Sequence, residues 1–512
     1  MPASFLHGVE VIEVQSGPNP VSVVKSAVIG LVGTAPSWAV SAPAAAPAPN
    51  SPALVSSALD AANFGPLVQG YTIPYALAAI QAQGAGQAIV INVFDPTRHF
   101  TAIAAQAMSF PASGAQVLNL GHMGVSEVVV KNQAGTTTYS SATDYSLDAV
   151  NGIITALSGG TLTAGEAVSV AFNYADPSKV AGADIIGAVT GGVYTGLQAL
   201  QTTYGTMGFF AKLLVAPGYS QNADVASAMA VMANTIRAMA LVDSSPATPV
   251  ATAIANRGLA GNAFDTSSSR VILCYPQETF YDAGLVPTGV TVSAAGTPVS
   301  IAYSGTSVGP YSQWVAGAMA AKDFANGYWW SPSNTEIAGI LGPDVDIYAS
   351  ILDPESDVNS LNAQGIATVF NAFGTGLRVW GNRSAAYPSS TSPANFINVR
   401  RTMDVIEESI QLSMLQFIDQ PISNALITAI LASVNAFIRS LIQRGALVAG
   451  SASYNPAENP PNQVAAGQLV FDVDVMPPPP AERITFQSYI DSSLLAQLGQ
   501  TSPLTAAAGA TA

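Results

Sequence analysis

The chain has 512 residues, of which only 9% are charged, and its 16 basic and 31 acidic residues give a net charge of −15. So few lysines and arginines exclude an extended phosphate-neutralising surface, which argues against direct binding of nucleic acid. Ordinary soluble domains are about 25% charged, so a surface this poor in charge predicts that much of it is covered in an assembly.

The first segment of the chain that can form structure is an isolated strand. Residues 8–14 (GVEVIEV) have strand character, but nothing close in sequence can pair with them. A strand without a partner leaves a row of unpaired N–H and C=O groups. We therefore treat residues 1–25 as an N-terminal arm. The residues we expect to exchange with a neighbouring copy are Val9, Val11, Ile12 and Val14.

After the arm, the residue pattern predicts alternating strands and helices. Residues 26–33 form a buried strand, residues 75–83 a short helix and residues 88–93 a second buried strand. Strand, helix and strand in this order predict a parallel βαβ unit. We assign residues 26–100 and 181–400 to one α/β core.

Between the two core segments, residues 26–100 and 181–400, the residue pattern predicts short strands and turns. The Asn-Gly pair at 151–152 is flanked by apolar residues, which is a strong hairpin signal. We therefore predict an all-β insertion over residues 101–180. A second variable excursion is expected at 284–309, where Val, Thr, Ser and Gly dominate.

The core resumes after the insertion with helical and strand patterns. We expect a helix over residues 194–204 and a strand at 211–215. Asn222 or Asp224 can cap the next helix, on which the stripe Met229, Met232, Ile236 and Met239 predicts core packing. A strand at 271–275 follows.

The C-terminal part, residues 401–480, reads as an α+β domain. A helix over residues 427–442 keeps an apolar stripe for four turns and ends before Gly445. A hairpin with strands at 446–452 and 468–475 is expected to follow. The residues of its second strand that we expect to meet exchanged strands are Leu469, Phe471 and Val473.

The chain ends as it begins, with an unpaired strand. Four prolines at 477–480 form a rigid spacer, and residues 483–490 (RITFQSYI) have strand character. Residues 481–512 are therefore predicted to be a C-terminal arm. Its exchange residues are Ile484, Phe486 and Tyr489. An internal β-meander is the alternative for this last strand. Two arms, one at each end, predict a subunit that completes its sheets with other copies and so forms a polymer.

Cysteine, histidine and the apolar helix exclude several other classes. The single cysteine, Cys274, cannot form an internal disulfide, and His7, His99 and His122 lie in three different regions, so we predict no metal site and no cofactor. The N-terminus lacks a signal-peptide pattern. The helix at 427–442 is amphipathic and contains a charge, so we predict no membrane insertion and expect synthesis in the cytoplasm.

Searches for catalytic motifs leave one enzymatic alternative open. The sequence has no phosphate-binding P-loop and no G-x-S-x-G nucleophile motif. The acids at 353–359 imitate the start of a calcium loop, but the required Gly and Glu are missing. The aromatic run at 328–330 is expected in the core or an interface rather than under a carbohydrate. An α/β hydrolase acting on surface polysaccharide, with Asp344, Asp346 and Asp353 as converging acids, remains an alternative, as does another capsid or surface protein.

Four stretches of the chain resemble the tail sheath proteins of contractile bacteriophages, which are related to the sheaths of R-type pyocins and other contractile injection systems. The first runs from FLHGVEVIE at 5–13 to VIGLVGTA at 28–35. The second, and the most specific, contains VAG at 315–317, Asp323, Gly327 and WSPSN at 330–334, with Ile337 and Gly339. The others are RVWGNR at 378–383 with FINVRR at 396–401, and PAERITF at 480–486.

The resemblance implies a structural role without an active site. Six copies would form a ring around a tail tube, and rings would stack into a helical sheath. The arms of two copies would join the hairpin of a third, so that the lattice can contract without its subunits separating. Baseplate and tail terminator proteins would be further partners. The resemblance also places the insertion outside, and Arg439 and Arg444 at the end of the apolar helix become candidates for contact with the tube.

Overall fold

The computed structural model describes residues 20–40, 46–84, 86–284, 305–350, 352–371 and 374–498. The strands, in chain order, are β1 Val28–Gly33, β2 Ala53–Val55, β3 Gln87–Asn92, β4 Phe100–Ser109, β5 Val117–Asn119, β6 Val125–Asn132, β7 Thr138–Tyr139, β8 Tyr145–Asp148, β9 Ile153–Ala156, β10 Ala167–Ala175, β11 Val189–Thr190, β12 Val193–Tyr194, β13 Leu213–Val215, β14 Met239–Asp243, β15 Val271–Cys274, β16 Glu278–Tyr281, β17 Thr306–Gly309, β18 Thr335–Glu336, β19 Gly342–Pro343, β20 Ile366–Asn371, β21 Leu377–Trp380, β22 Ala449–Ser453 and β23 Asp472–Met476. The helices are α1 Ala58–Ala62, α2 Ile73–Gln81, α3 Gly182–Ile186, α4 Thr203–Met207, α5 Ala223–Ile236, α6 Val250–Ala255, α7 Tyr311–Asn326, α8 Asp357–Asn362, α9 Ile397–Ser413, α10 Asn424–Gln443 and α11 Pro461–Ala465.

A nine-stranded mixed sheet forms the core, in the order β18-β21-β20-β15-β14-β13-β1-β3-β2. Its six central strands are parallel, and the strands at both margins are antiparallel. The parallel pairing of β1 with β3 across α2 confirms the predicted βαβ unit. The mixed α/β class is therefore the one expected from the sequence.

Both faces of this sheet are buried, which explains why its strands are almost continuously apolar. Val28 and Val32 of β1 pack on one face with α5, whereas Ile29 and Leu31 pack on the other with α2 and α7. The alternation follows from the two-residue period of a strand. Each face therefore has its own apolar cluster.

Two predictions in the core are wrong in detail. Residues 194–204 do not form one helix, because β12 ends at Tyr194 and a 3-10 helix, Gly196–Thr202, leads into α4. Met239 does not continue the apolar stripe of α5, because Arg237 adopts a left-handed conformation with φ 51° and ends the helix. Met239 instead begins β14. The cap by Asn222 is confirmed.

Residues between β4 and β10 fold into two small antiparallel sheets, β4-β10-β6-β7 and β5-β9-β8, around an apolar cluster of their own. The predicted hairpin at Asn151-Gly152 joins β8 to β9, with Asp148 opposite Ile153. Gly152 has φ 65°, the left-handed conformation that the turn requires. The first and last residues of the segment, Phe100 and Ala175, lie opposite each other in the ladder.

The helices α9 and α10 and the hairpin β22–β23 enclose a further apolar cluster, which includes Val434, Phe437, Ile438 and Leu441 of α10. Gly445 follows α10 with φ 77°, as its predicted role in ending the helix requires. Among the described residues, α10 is the one helix that is long and apolar enough to cross a membrane by length and composition alone. Core helices pass the same test, and the apolar stripe of α10 faces this cluster.

The second strand of the predicted hairpin is shorter than expected. It starts at Asp472, so Leu469 and Phe471 precede it. The Asn459 side chain accepts a hydrogen bond from the Val470 N–H (2.7 Å) and donates one to the Val470 carbonyl (2.9 Å). Asn459 therefore binds the N–H and C=O of Val470 that would be needed to extend the ladder with β22. The loop before β23 also contains a helix that the sequence did not predict, α11.

The C-terminal residues 481–512 form a separate unit, described up to residue 498. Residues 481–490 are exposed and have no regular secondary structure, and no strand is formed in the part of this unit that the structure describes. A 3-10 helix, Ser492–Gln497, follows. The predicted exchange residues Val9, Val11, Ile12 and Val14, as well as His7 and most of the 284–309 excursion (285–304), lie outside the described residues.

Candidate assembly site

The hairpin β22–β23 is a two-stranded sheet with an open side. Asp472 pairs with Ser453 at one end of the ladder and Met476 with Ala449 at the other. Within the described residues, β23 has no second neighbouring strand. Two-stranded sheets are marginally stable, and a free edge is a template for another strand. The open edge of β23 can therefore accept a strand by backbone pairing.

The other edge of the hairpin is partly closed by α10. The Asn435 side chain accepts a hydrogen bond from the Ala452 N–H (2.8 Å) and donates one to the Ala452 carbonyl (2.9 Å). Because Asn435 binds both backbone groups of Ala452, these groups point away from β23, and Ala452 and Val473 form a non-hydrogen-bonded pair of the ladder. The asparagine therefore takes the place of a third strand at one position of β22.

The root of the N-terminal arm is held by α9. The Val24 and Ser22 N–H groups donate to the hydroxyls of Ser409 and Ser413 respectively, each at 3.1 Å. The Ser26 carbonyl accepts from the guanidinium of Arg401 at 3.1 Å. Two serines one helical turn apart thus bind alternate residues of an extended chain, as a neighbouring strand would. The arm root therefore runs along α9 before β1 begins.

The segment that leads to the C-terminal arm is bound to the same helix. The Asn398 side chain, in the first turn of α9, donates to the Pro478 carbonyl at 3.1 Å and to the Trp329 carbonyl at 3.0 Å. Proline cannot offer an N–H, so its carbonyl is the group by which side chains can bind this spacer. The roots of both arms are therefore attached to α9.

Buried ion pairs join α9 to the core sheet. Arg401 binds Asp323 of α7 through two contacts of 2.5 and 2.8 Å, and the two side chains are 5% and 2% exposed. Glu408 pairs with Lys212, which precedes β13. Asp404 pairs with Arg270, which precedes β15, and Glu407 makes a more exposed pair with Arg237. Arg400 pairs with Asp404 and Glu407 within α9 itself.

This concentration of charge is unusual in so charge-poor a chain. Buried charges are costly unless paired, and removing one partner leaves the other unpaired. Lys212, Arg237 and Arg270 each lie just before a parallel strand of the sheet, so α9 is bound at the amino ends of β13, β14 and β15. The helix that holds the arm roots is therefore fixed to the core rather than loosely attached.

We call the ion pairs between α9 and the core the joint. The second and third sequence motifs that carry the resemblance meet there. Asp323 comes from the second motif and Arg401 and Asn398 from the third. The Asn334 N–H donates to the Val379 carbonyl (2.6 Å), which joins these motifs again. Sequence reasoning missed α9 as the holder of the arms. Ser409 and Ser413 gave little signal in the sequence, because α9 contains many other polar and charged residues.

The remaining predicted contact residues are exposed to different degrees. Arg439 is exposed on α10. The Arg444 guanidinium lies 5.1 Å from the centroid of the Trp329 ring, so part of its interaction is within this chain. Ile484, Phe486 and Tyr489 are 70%, 90% and 80% exposed.

Two of the three acids proposed for the hydrolase alternative accept hydrogen bonds from backbone N–H groups of loops. Asp344 accepts from the Ala247 N–H (2.6 Å) and Asp353 from the Glu355 N–H (2.9 Å), while Asp346 is exposed. No group of three potential metal ligands occurs among the residues that the structure describes.

One buried carboxyl group interrupts the apolar end of β14. Asp243 accepts hydrogen bonds from the Ser312 N–H (2.7 Å) and from the hydroxyls of Ser312 and Ser220 (2.6 and 2.7 Å). Burial raises the pKa of Asp243 to about 6, although these hydrogen bonds oppose the shift. Burial likewise raises the pKa of Glu278. Both groups are internal to the core.

Comparisons with family models agree with the site. Residues 192–385 match the model for the phage tail sheath protein central domain, and residues 389–491 match the phage tail sheath C-terminal domain. A third model, for a protein of unknown function, matches residues 97–184. This match coincides with the small antiparallel sheets between β4 and β10.

Relatives and solved structures extend the match over the chain. The tail sheath protein of Burkholderia phage BcepMu is 44% identical over 501 residues, covering 97% of this chain and 99% of its own. A putative prophage major tail sheath protein of Pseudomonas aeruginosa is 28% identical over 65% of this chain and 78% of its own. The contracted sheath complex of an extracellular contractile injection system, PVC, superposes with a TM-score of 0.57 at 15% identity, over 96% of this chain and 99% of that one.

The fold and these matches define a contractile sheath subunit. The chain belongs to the phage tail sheath protein family. It is a structural protein of a contractile phage tail and not an enzyme, so the hydrolase alternative is not supported.

Proposed function

We propose that this chain polymerises as hexameric rings stacked around a tail tube, and that contraction of the stack drives the tube through the host envelope. The observation that carries the proposal is the open hairpin β22–β23 in a chain with exposed apolar residues in its C-terminal arm. Family membership supports it. The subunit is made in the host cytoplasm and assembled into the virion, without nucleic acid, cofactor or membrane insertion.

The contacts between rings are backbone ladders. Residues 9–14 of one copy and residues 483–490 of another add to the hairpin of a third. The open edge of β23, with Val473 in its ladder, supports this arrangement. Leu469 and Phe471 lie before β23 and are proposed to flank the added strands rather than to pair with them.

Contraction requires rigid subunits and hinged connections, because a ladder can rotate as a unit while its hydrogen bonds persist. The ion pairs between α9 and the core support a rigid subunit. The hinges then lie beyond the attachment points on α9, before residue 22 and after residue 478. An extended sheath is in this proposal a metastable state that is released by new contacts between core sheets.

The outward and inward surfaces are assigned by exposure and charge. Arg439 on the exposed side of α10 is proposed to face the tube, and Arg444 contributes in part because it also contacts Trp329. The insertion at 101–180 is proposed to lie on the outside, as a domain separate from the core at 26–100 and 181–400 and the assembly domain at 401–480. A related fold occurs in the baseplate structure of the anti-feeding prophage, with a TM-score of 0.53 at 18% identity, which supports a baseplate as partner. A tail terminator protein is proposed as a further partner from family membership.

The test is assembly of arm-deleted chains. The full-length chain, expressed alone and concentrated, should form long striated tubes in negative-stain electron microscopy. Deletion of residues 1–16 or 482–512 should leave a folded monomer, judged by circular dichroism, that forms no tubes. Long tubes from either deleted chain would contradict the strand exchange. Small particles from the full-length chain that become tubes only when tail tube is added would show that the tube is a required template.

A further inference from the structure

The C-terminal arm has a second apolar element after its strand segment. Asp491 caps the 3-10 helix Ser492–Gln497 by accepting from the Ser493 N–H at 2.8 Å, and its carbonyl accepts from the Leu494 N–H at 3.2 Å. The turn is therefore held by its own hydrogen bonds. It presents three leucines, Leu494, Leu495 and Leu498, which are 56%, 63% and 76% exposed.

Three exposed leucines within five residues need an explanation that strand exchange does not give. A strand contributes through its backbone and through side chains at alternate positions, whereas a helical turn cannot extend a ladder. Single exposed apolar residues are ordinary, but a contiguous apolar group on a soluble chain marks a contact surface. The C-terminal arm thus has two elements of different kind.

A matching apolar surface occurs where α9 passes into α10. Leu415, Ile418 and Ile422 are exposed there by 62%, 63% and 38%. A groove of about 340 Å³ at the end of α9 is lined by residues 20 and 22–24 and by Leu412, Ser413 and Gln416, which are close to Leu415 in sequence. We call this surface the α9–α10 tip, defined by Leu415, Ile418, Ile422 and the groove.

We propose that the leucine turn of one copy docks on the α9–α10 tip of a second copy. This inference rests on the proposed strand exchange, which brings the arm to a neighbour's hairpin. Met414, which precedes Leu415, and Val475 of β23 both pack against the apolar cluster of α9, α10 and the hairpin, so the end of α9 and the hairpin belong to one packed unit. From Ile490 to Leu498 the chain takes eight steps, and those within the 3-10 helix rise only about 2 Å each, so the turn reaches at most about 20 Å beyond the strand segment. The docking surface must therefore lie close to the hairpin.

The character of the two surfaces favours a second copy over another kind of partner. The turn and the tip are both apolar, with a single carboxylate beside each, Asp491 and Asp419. Residues 484–498 and 411–423 contain no lysine or arginine, which an anionic lipid surface or nucleic acid would need. In a sheath every copy has one arm and one tip, so each docking site is filled once. Burial of one exposed leucine favours association by about ten-fold.

The experiment compares three C-terminal truncations by the concentration at which tubes form, measured by sedimentation and negative stain. The chain 1–498 should assemble as the full-length protein does. The chain 1–490, which keeps the strand segment, should require at least about ten-fold more protein. The chain 1–481 should form no tubes. Normal assembly by 1–490 alone overturns the docking and leaves strand exchange standing, whereas assembly by 1–481 overturns the strand exchange.

Point variants locate the contact. L495S with L498S, and separately L415S with I418S, should each reproduce the defect of 1–490 without changing monomer melting, since all four side chains are exposed. L352S, at an 88% exposed leucine elsewhere, is the matched control and should assemble normally. A defect in L352S equal to those of the paired variants would show a general solubility effect and contradict the proposal.

Cross-linking identifies the surface that receives the turn. The native Cys274 is fully buried, so introduced cysteines react alone. Tubes of the L495C/I418C variant treated with a short bismaleimide should give a covalent ladder of copies, and L495C/V231C, on exposed α5, should not. Cross-links confined to the α5 position would overturn the tip as the docking surface, even if 1–490 assembles poorly.

Discussion

The nine-stranded sheet and the two-stranded hairpin obtain their hydrogen-bond partners in different ways. Every central strand of the large sheet, from β3 to β20, has a neighbour on each side within the same chain. The hairpin has one ladder, with Asn435 as a substitute at one edge and no partner on β23 in the described residues. Folding alone pairs the central strands of the large sheet on both sides, whereas the hairpin has an edge that assembly can complete.

The contrast shows which part of a polymer-forming chain stabilises the folded monomer and which part is left for assembly. The closed sheet is buried on both faces and carries the joint with α9. The open hairpin is small and cannot be stable through pairing alone. A subunit built in this way can fold as a monomer and still gain free energy from each added strand. Four changes, in decreasing order of expected cost, would test this contrast.

Breaking the joint should cost the most. Arg401→Met leaves Asp323 charged, buried and unpaired, so we expect a loss of about 3–5 kcal/mol in the free energy of unfolding, measured with urea. Arg98→Met is the control, because Arg98 is 65% exposed and its pair with Asp184 is long, at 3.6 Å. Its loss should stay below about 1 kcal/mol. Equal losses for the two variants would mean that the joint is no stronger than a surface ion pair.

The buried Asp243 makes the stability of the large sheet depend on pH. Its pKa is about 6 in the folded chain and about 3.9 in an unfolded one, so the folded state binds the extra proton and loses stability as pH rises from about 4 to about 6. The two-unit difference is worth at most about 3 kcal/mol. Urea titrations between pH 4 and 7 should show this slope in the wild-type chain.

The matched variant for this measurement is Asp243→Asn, which cannot titrate. Glu278 has a raised pKa as well and contributes a slope of the same sign to both chains. The difference between wild type and variant should therefore change with pH by the contribution of Asp243 alone. A difference that is constant from pH 4 to 7 would contradict the assignment.

Asn435 tests the edge that α10 closes. Asn435→Ala removes two hydrogen bonds to Ala452 and should cost about 1–2 kcal/mol, with faster hydrogen exchange confined to β22. Thr428→Ala on the exposed side of the same helix is the control and should leave exchange in β22 unchanged. Unchanged protection of β22 in Asn435→Ala would show that the hairpin does not depend on this substitute partner.

Removal of the small sheets should have the smallest effect. The His99 carbonyl accepts from the Asp176 N–H at 3.0 Å, so a short glycine linker can replace residues 100–175. Because these residues have their own apolar cluster, we expect a change below about 1 kcal/mol in the unfolding of the remainder and normal tubes in the microscope. A chain that no longer folds would show that the insertion is part of the core.

Local patterns in the sequence were sufficient for much of the fold. The βαβ unit, the hairpin at Asn151-Gly152, the cap at Asn222 and the end of α10 at Gly445 each depend on residues close in sequence, and all are present.

The errors occurred where a local conformation or a distant side chain intervened. The left-handed conformation of Arg237 ends α5 and places Met239 in a strand. The Asn459 side chain binds the backbone of Val470 and so withdraws that residue from the hairpin. Neither effect has a signature in the spacing of apolar residues, which is the pattern on which both predictions depended.

The candidate assembly site also has features that the sequence predicts and features that only the folded structure shows. The apolar strands, the two arm segments and the motifs of the sheath family are all visible in the sequence alone. Folding, however, decided that Asp323 meets Arg401, and that both arm roots are bound to α9. The physical reason is range. Periodicity and caps act over a few residues, whereas these ion pairs and hydrogen bonds join groups 78 to 391 positions apart, whose proximity exists only after the sheet has formed.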